Sequence, residues 1–353
     1  MHGHGSRRLA STLAFWAVCF WTVSAEAQEV CGVDTLFANG FEVAPASYPP
    51  LASTPGAIPS PGATQSIVGP GTFSINITFP TSGATTGATT TEVAGTFSGP
   101  TDTGILVNGA VAYVDGGNFY VPSLQLSAGS NTLTATATKL TGEIATTTST
   151  LTQSGSASPV VLNMRRVVSY APLRVHFYPI IGALPGGATV VSTAIDYNGD
   201  GTDDLTNPAP GVDINFLATQ AGLYRARLTV QDSNGATYTA YHTYLVQDFQ
   251  RQSGMMCDVY GYMRTKLSAA TPDINGALVA IHPTERDKFQ SVFTGFGAAL
   301  PAFATNLGTI ANGTLDGTFG NFIVVRQNAD NTLSGFHMQF LQDDSGVWRI
   351  SDM

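Results

Sequence analysis

From Phe73 onward the chain alternates apolar and polar residues in short runs, with glycine- or proline-bearing turns between them. Phe73, Ile75, Ile77 and Phe79 recur at every second position, which gives an extended segment one buried face and one wet face. Ile105-Leu106-Val107 and residues 110–114 flank Asn108-Gly109. Both turn residues tolerate positive φ, so this stretch predicts a tight hairpin. Asp115-Gly116-Gly117 turns the chain again into Asn118-Phe119-Tyr120-Val121, and Leu133, Ala135 and Ala137 alternate with threonines. A second series follows, with Leu173, Val175 and Phe177, then Tyr224, Ala226, Leu228 and Val230, then residues 237–247. Strands at this spacing predict antiparallel sandwiches.

After Val246 the period changes. Residues 247–254 are polar and read as a short hinge. Met256, Tyr260, Met263 and Leu267 then recur at helical spacing, which predicts a helix over 255–267. Further helical stretches are expected after Pro272, over 284–296 and over 302–310. Strands are expected over 313–317, 321–328, 335–342 and 346–350. Helices followed by an antiparallel sheet define an α+β unit. The expected fold is mainly β: two consecutive Ig-like antiparallel β-sandwiches, at 65–153 and 159–248, then a small α+β domain at 255–353.

Composition narrows this picture. Of 353 residues only 11% are charged, while Gly 38 and Pro 19 are high, a profile of β-sandwiches with uncharged polar faces. A net charge of −9 argues against nucleic acid as a partner, since that needs a basic stripe. Arg7 and Arg8 precede an apolar run over 9–23 that ends in Ala25-Glu26-Ala27. This pattern predicts a signal peptide over 1–27 and a soluble chain with no membrane span after its removal. Periplasmic, extracellular or cell-surface locations all follow from it. Residues 28–64 are largely Pro, Ala and Ser and read as a segment with a linker. Without the leader two cysteines remain, Cys31 and Cys257. They either pair, tying the mature N-terminus to the last domain, or stay as thiols.

Three resemblances add to these readings. Val93-Ala94-Gly95-Thr96, Val107-Asn108-Gly109, Gly117-Asn118-Phe119 and residues 126–133 (LSAGSNTL) resemble the Ig-like module called glucodextranase domain B. The likeness implies a spacer found beside carbohydrate-active or cell-surface domains. Residues 195–201 (IDYNGDG), 221–224 (AGLY) and 228–235 (LTVQDSNG) resemble the PKD domain, another Ig-like sandwich. Tyr197 and Asn198 depart from the "W-D-F-G-D-G" core of many PKD members. The order of elements at the C-terminus and its ending, residues 344–350 (DSGVWRI), resemble NTF2-like or cystatin-like domains. Some relatives of that kind use a cone-shaped interior as a pocket.

Asp196, Asn198 and Asp200 stand at alternate positions before Gly201, and Thr202 and Asp204 continue the series. These five residues could hold a calcium ion, as the likeness to calcium-binding PKD loops implies. The residue at the twelfth loop position is Asn207 rather than a bidentate glutamate, so the loop is no EF-hand. The alternative is a turn whose Asp and Asn side chains cap backbone N–H groups without metal.

Tyr113, Phe119 and Tyr120 are candidates for a sugar-stacking platform, with the sandwich core as the competing role. His282, His337, Asp258 and Arg326 are the polar candidates to line a C-terminal cone. No G-x-S-x-G, H-E-x-x-H, P-loop or C-x-x-C motif occurs, and no residue is assigned a catalytic role. The reading is a secreted, non-catalytic modular protein whose sandwiches space and present the C-terminal domain. Its partner would be a cell-surface polysaccharide or another envelope protein. The alternatives are a glycan- or small-ligand-binding protein and, behind it, an enzyme using the C-terminal cone.

Overall fold

The computed structural model describes residues 72–207 and 214–353. The expected leader, the segment over 28–64 and Cys31 lie outside the described residues.

The first series of runs forms β1 (Ser74–Phe79), β2 (Ala84–Thr86), β3 (Thr90–Ser98), β4 (Gly104–Val107), β5 (Ala110–Val111), β6 (Tyr113–Asp115), β7 (Asn118–Gln125), β8 (Gly129–Thr138) and β9 (Ile144–Gln153). They pair as two sheets, β1-β3-β7-β6 and β2-β9-β8-β4-β5. The hairpin at Asn108-Gly109 joins β4 to β5 with φ 47° and 84°, and Leu106 pairs with Val111 across it. Alternation then decides the interior. Val93, Ile105, Val107, Phe119 and Leu133 meet with no exposed surface, and each contributes about 1.5–3 kcal/mol of burial.

The second series forms β10 (Val160–Met164), β11 (Val168–Tyr170), β12 (Leu173–Ile181), β13 (Val190–Asp196), β14 (Leu205–Thr206), β15 (Ile214–Ala218), β16 (Gly222–Asp232) and β17 (Thr237–Gln247). Its sheets are β10-β12-β15 and β11-β17-β16-β13-β14. Tyr197 stacks on Phe216 with centroids 4.3 Å apart, so the displaced aromatic of the acidic loop still fills the core. Tyr224 Oη donates to the Gln220 carbonyl at 2.7 Å, a tyrosine corner of the kind Ig-like sandwiches use.

The C-terminal unit consists of α1 (Phe249–Ser268), α2 (Ile274–Leu278), α3 (Arg286–Phe296) and α4 (Leu300–Thr305), then β18 (Thr309–Asp316), β19 (Phe319–Gln327), β20 (Leu333–Gln342) and β21 (Trp348–Asp352). The strands form one sheet in sequence order. Met256, Tyr260, Met263 and Leu267 face the interior as their spacing predicts. They pack with Phe289, Phe293, Phe322 and Phe340. These residues form one buried cluster between the helices and the sheet.

Two expectations are corrected here. Residues 247–254 are not a hinge, because β17 ends at Gln247 and α1 starts at Phe249. Asp248 caps the helix by accepting from the N–H groups of Gln250 and Arg251. Residues 302–310 are not one helix either. Helix α4 ends at Thr305, and Gly308, with φ 88°, redirects the chain into β18.

The units are not beads on a string. Leu140, from the hairpin between β8 and β9, belongs to the same buried cluster as α1, α3 and the last sheet. Gly104 abuts the backbone of residues 345–347 so closely that a Cβ there would lie 2.3 Å from the Gly346 carbonyl carbon. The first sandwich therefore contacts the last unit directly.

Candidate functional site

The side chains singled out by sequence fall in separate places. In the acidic loop, Asp196 is buried, and its two oxygens accept from Gly199 N–H at 2.7 Å and Gly201 N–H at 2.9 Å. Asn198 and Asp200 bond each other at 3.0 Å, and Asp200 accepts from the Thr202 N–H at 2.8 Å. These bonds to Thr202 and Asn198 hold the Asp200 carboxyl below its ordinary range. Asp204 accepts from the Tyr197 N–H at 3.0 Å. The Arg227 guanidinium lies 3.6 Å from Asp196 and 3.0 Å from Asp203. Among the described residues no group of three His, Cys, Asp or Glu side chains is arranged to hold a metal ion. The loop geometry is that of a turn closed by its own side chains.

The aromatics of the first sandwich do not form a platform. Tyr113 is 38% exposed, but Phe119 is in the sandwich core and Tyr120 is buried against the second sandwich. In the last unit the four polar candidates do not converge on a cavity. His337 is exposed on β20, and His282, half-buried, lies 2.9 Å from Thr284 Oγ1 beside it in sequence. Asp258 accepts from Thr101 Oγ1 of the first sandwich at 3.1 Å. Arg326 stacks over Phe336 at 5.4 Å. Cys257, half-buried on α1, is disulfide-bonded.

The polar chemistry concentrates instead where the units meet. Between the sandwiches, Tyr120 Oη donates to the Thr243 carbonyl at 2.6 Å, and the Thr243 N–H donates to Glu92 at 2.9 Å. The other Glu92 oxygen lies 3.1 Å from His242 Nδ1. Burial pushes the Glu92 carboxyl up to about 7, against hydrogen bonds from Thr243 and the charge of Arg225. Burial also pushes His242 down to about 4. Burial thus disfavours charge on both partners. Arg225 lies between two rings, 3.9 Å from Phe79 of the first sandwich and 4.2 Å from Tyr241 of the second.

Between the first sandwich and α1, Asp115 is paired with Arg251. Gln252 donates to the Val114 carbonyl at 2.6 Å and to Asp115 at 3.1 Å. Asp115 is nonetheless pushed up to about 6, because burial outweighs the pull of Arg251. A third seam joins the first sandwich to β21. There Arg349 pairs with Asp343 and donates to the Val279 carbonyl and, at 3.3 Å, to the Leu140 carbonyl.

At the meeting point of these seams lies a cleft of about 400 Å³. Tyr113, Tyr170 and Trp348 give it aromatic walls, and Gln247, Gln342, Arg166 and Asp316 give it polar ones.

Apart from Tyr120, singled out for another role, sequence reasoning missed these seam residues. One signal lay in an isolated charge, since Glu92 stands alone in a strand of uncharged residues.

Comparison with known proteins supports the first sandwich directly: residues 73–154 match the family model described as glucodextranase, domain B. No curated protein matches the chain. Among solved structures, the fibronectin(III)-like modules of Clostridium thermocellum CbhA share 11% identity, covering 49% of this chain and 94% of that one, with a TM-score of 0.20. The PKD1 domain of Vibrio cholerae metalloprotease PrtV shares 23% identity, covering 26% of this chain and 99% of that one, with a TM-score of 0.19. Bacteroides ovatus SGBP-B, solved with a mixed-linkage heptasaccharide, shares 17% identity over 49% of this chain and 47% of that one, with a TM-score of 0.18. Likenesses of this strength carry no functional argument, and the mainly β fold rests on the strand pairings above. None of these matches supports the NTF2-like or cystatin-like expectation for residues 255–353. No helix among the described residues is long and apolar enough to cross a membrane.

Proposed function

We propose that the chain is a secreted, non-catalytic modular protein in which two sandwiches hold the C-terminal α+β unit in one fixed orientation at the cell envelope or outside the cell. The observation that carries this reading is the buried seam Asp115–Arg251–Gln252 beside the direct passage from β17 into α1. A flexible spacer would leave these groups in water. Burying them unpaired would cost several kcal/mol each, so their pairing fits a permanent contact. The match of residues 73–154 to an Ig-like module and the leader-like N-terminus agree with this role. In this reading the acidic loop is a turn closed on its own backbone.

The test is expression of the full chain in a bacterial host, followed by fractionation and limited proteolysis. The reading expects a mature protein outside the cytoplasm, beginning at Gln28, with no early cut over 247–254. Retention in the cytoplasm, or rapid release of the last unit by protease, would overturn it.

A further inference from the structure

The cleft where the three units meet is built from all of them. Tyr113 and Val114 come from β6, Tyr170 and Gln247 from the second sandwich, and Asp316 and Trp348 from the last sheet. Its volume of about 400 Å³ lies within the roughly 300–1,000 Å³ of small-ligand sites. A polar gap at a seam holds water until a ligand displaces it. This one keeps hydrogen-bonding capacity in reserve.

Gln247 and Gln252 each spend their amide N–H on the Val114 carbonyl, at 3.2 Å and 2.6 Å. Their amide oxygens accept no hydrogen bond among the described residues. Arg166 and Asp316 are exposed at the rim, with no ion pair between them or to any other described residue. Trp348 is only 6% exposed and Tyr113 38%, so Tyr113 is the more accessible of the two rings.

We infer that this cleft binds a short neutral glycan. Aromatic faces match the C–H faces of pyranose rings, and planar amides, a carboxylate and a guanidinium match their hydroxyls. The rim carries both signs of charge. One cationic and one anionic side chain together favour a ligand with many hydroxyls and no net charge, since either charge sign on the ligand would meet one repulsive wall. Because each unit supplies part of the wall, the site exists only in the docked arrangement proposed above and rests on that reading. Ligand would then stabilise the docking in turn.

Trp348 makes the test direct. The other tryptophans, Trp16 and Trp21, fall in the predicted leader, so the mature chain keeps one tryptophan, at the cleft, to be excited selectively. Cellotetraose, laminaritetraose and maltotetraose would each be titrated into the mature protein, with glucuronate and glycine as charged and zwitterionic probes. The inference expects a saturable change in Trp348 emission with at least one of the neutral sugars. Tyr113→Ala should weaken that binding about tenfold, the worth of one aromatic contact, and Leu333→Ala, on the last sheet, should leave it unchanged. Limited proteolysis of each variant, resistant over 247–254, separates loss of binding from loss of docking. No saturation with any neutral sugar in a protease-resistant protein would overturn the inference. So would saturation by glucuronate or glycine alone, or equal affinity in Tyr113→Ala.

Discussion

Tyr120 Oη donates to the backbone carbonyl of Thr243 at 2.6 Å, across 123 residues of sequence and between two sandwiches. Neither residue retains appreciable exposure. A buried carbonyl that loses its donor bears a desolvation penalty of about 1–3 kcal/mol. Tyr120→Phe should therefore lower the free energy of unfolding by that amount while keeping the ring's packing. Urea denaturation of the two proteins measures it, and an unchanged midpoint would mean the hydroxyl contributes nothing.

Glu92 predicts a pH dependence with a definite sign. Its carboxyl rises from 4.5 to about 7 in the folded protein, so between those values the native state keeps a proton that the unfolded chain has lost. Stability then falls as pH rises through that window and stays lower above about 7. His242, at about 4 when folded against 6.5, works the opposite way over its own window and is present in both proteins compared here. Glu92→Gln cannot ionise. It should match the wild type near pH 4 and exceed it at pH 8 by about 1–3 kcal/mol. Melting curves at the two pH values decide this, and a variant less stable at pH 8 would contradict it.

Gly104 predicts a steric effect specific to one contact. A Cβ at that position would sit 2.3 Å from Gly346 C and Val347 N, both backbone atoms. Gly104→Ala must push the first sandwich off the last unit, at a cost of about 1–3 kcal/mol. Faster hydrogen exchange around Leu140 and residues 346–350 should follow, with the interior of the second sandwich unaffected.

The acidic loop offers a prediction about calcium. Both oxygens of Asp196 are occupied by backbone N–H groups and Arg227 faces the same carboxylate. Thermal unfolding in calcium and in excess chelator should give the same midpoint. A rise in calcium that disappears in Asp200→Ala would make the loop an ion site instead.

Cys257 predicts a covalent link. It is disulfide-bonded, and we propose Cys31 as its partner, since the third cysteine of the chain, Cys19, lies in the predicted leader. A non-reduced peptide map of the mature protein should show the two in one species that reduction splits. Two free thiols in that map would contradict the pairing.

Much of the fold was legible in the pattern of residues. Asn108-Gly109 set the hairpin, and Met256, Tyr260, Met263 and Leu267 set the buried face of α1, because periodicity reports burial against a unit's own core. It does not report burial against another unit. Gln252 and Ser253 are buried, yet their polarity made 247–254 look like a hinge. The partners of Gln252, the Val114 carbonyl and Asp115, lie 138 and 137 residues away. Tyr120 was singled out for its ring, but whether that ring faces ligand or the next sandwich depends on a docking that local pattern cannot express. The cleft was invisible for the same reason, since no single stretch contains more than a fraction of its wall.

One amide reports the docking of the units. The Thr243 N–H donates to the Glu92 carboxylate at 2.9 Å, a bond that exists only while the two sandwiches are together. Residue-resolved hydrogen exchange of the mature protein should find this amide protected as strongly as its neighbours in the β16–β17 ladder. Exchange of Thr243 at the rate of an open loop, with its neighbours still protected, would show that the sandwiches part freely and would contradict the central claim.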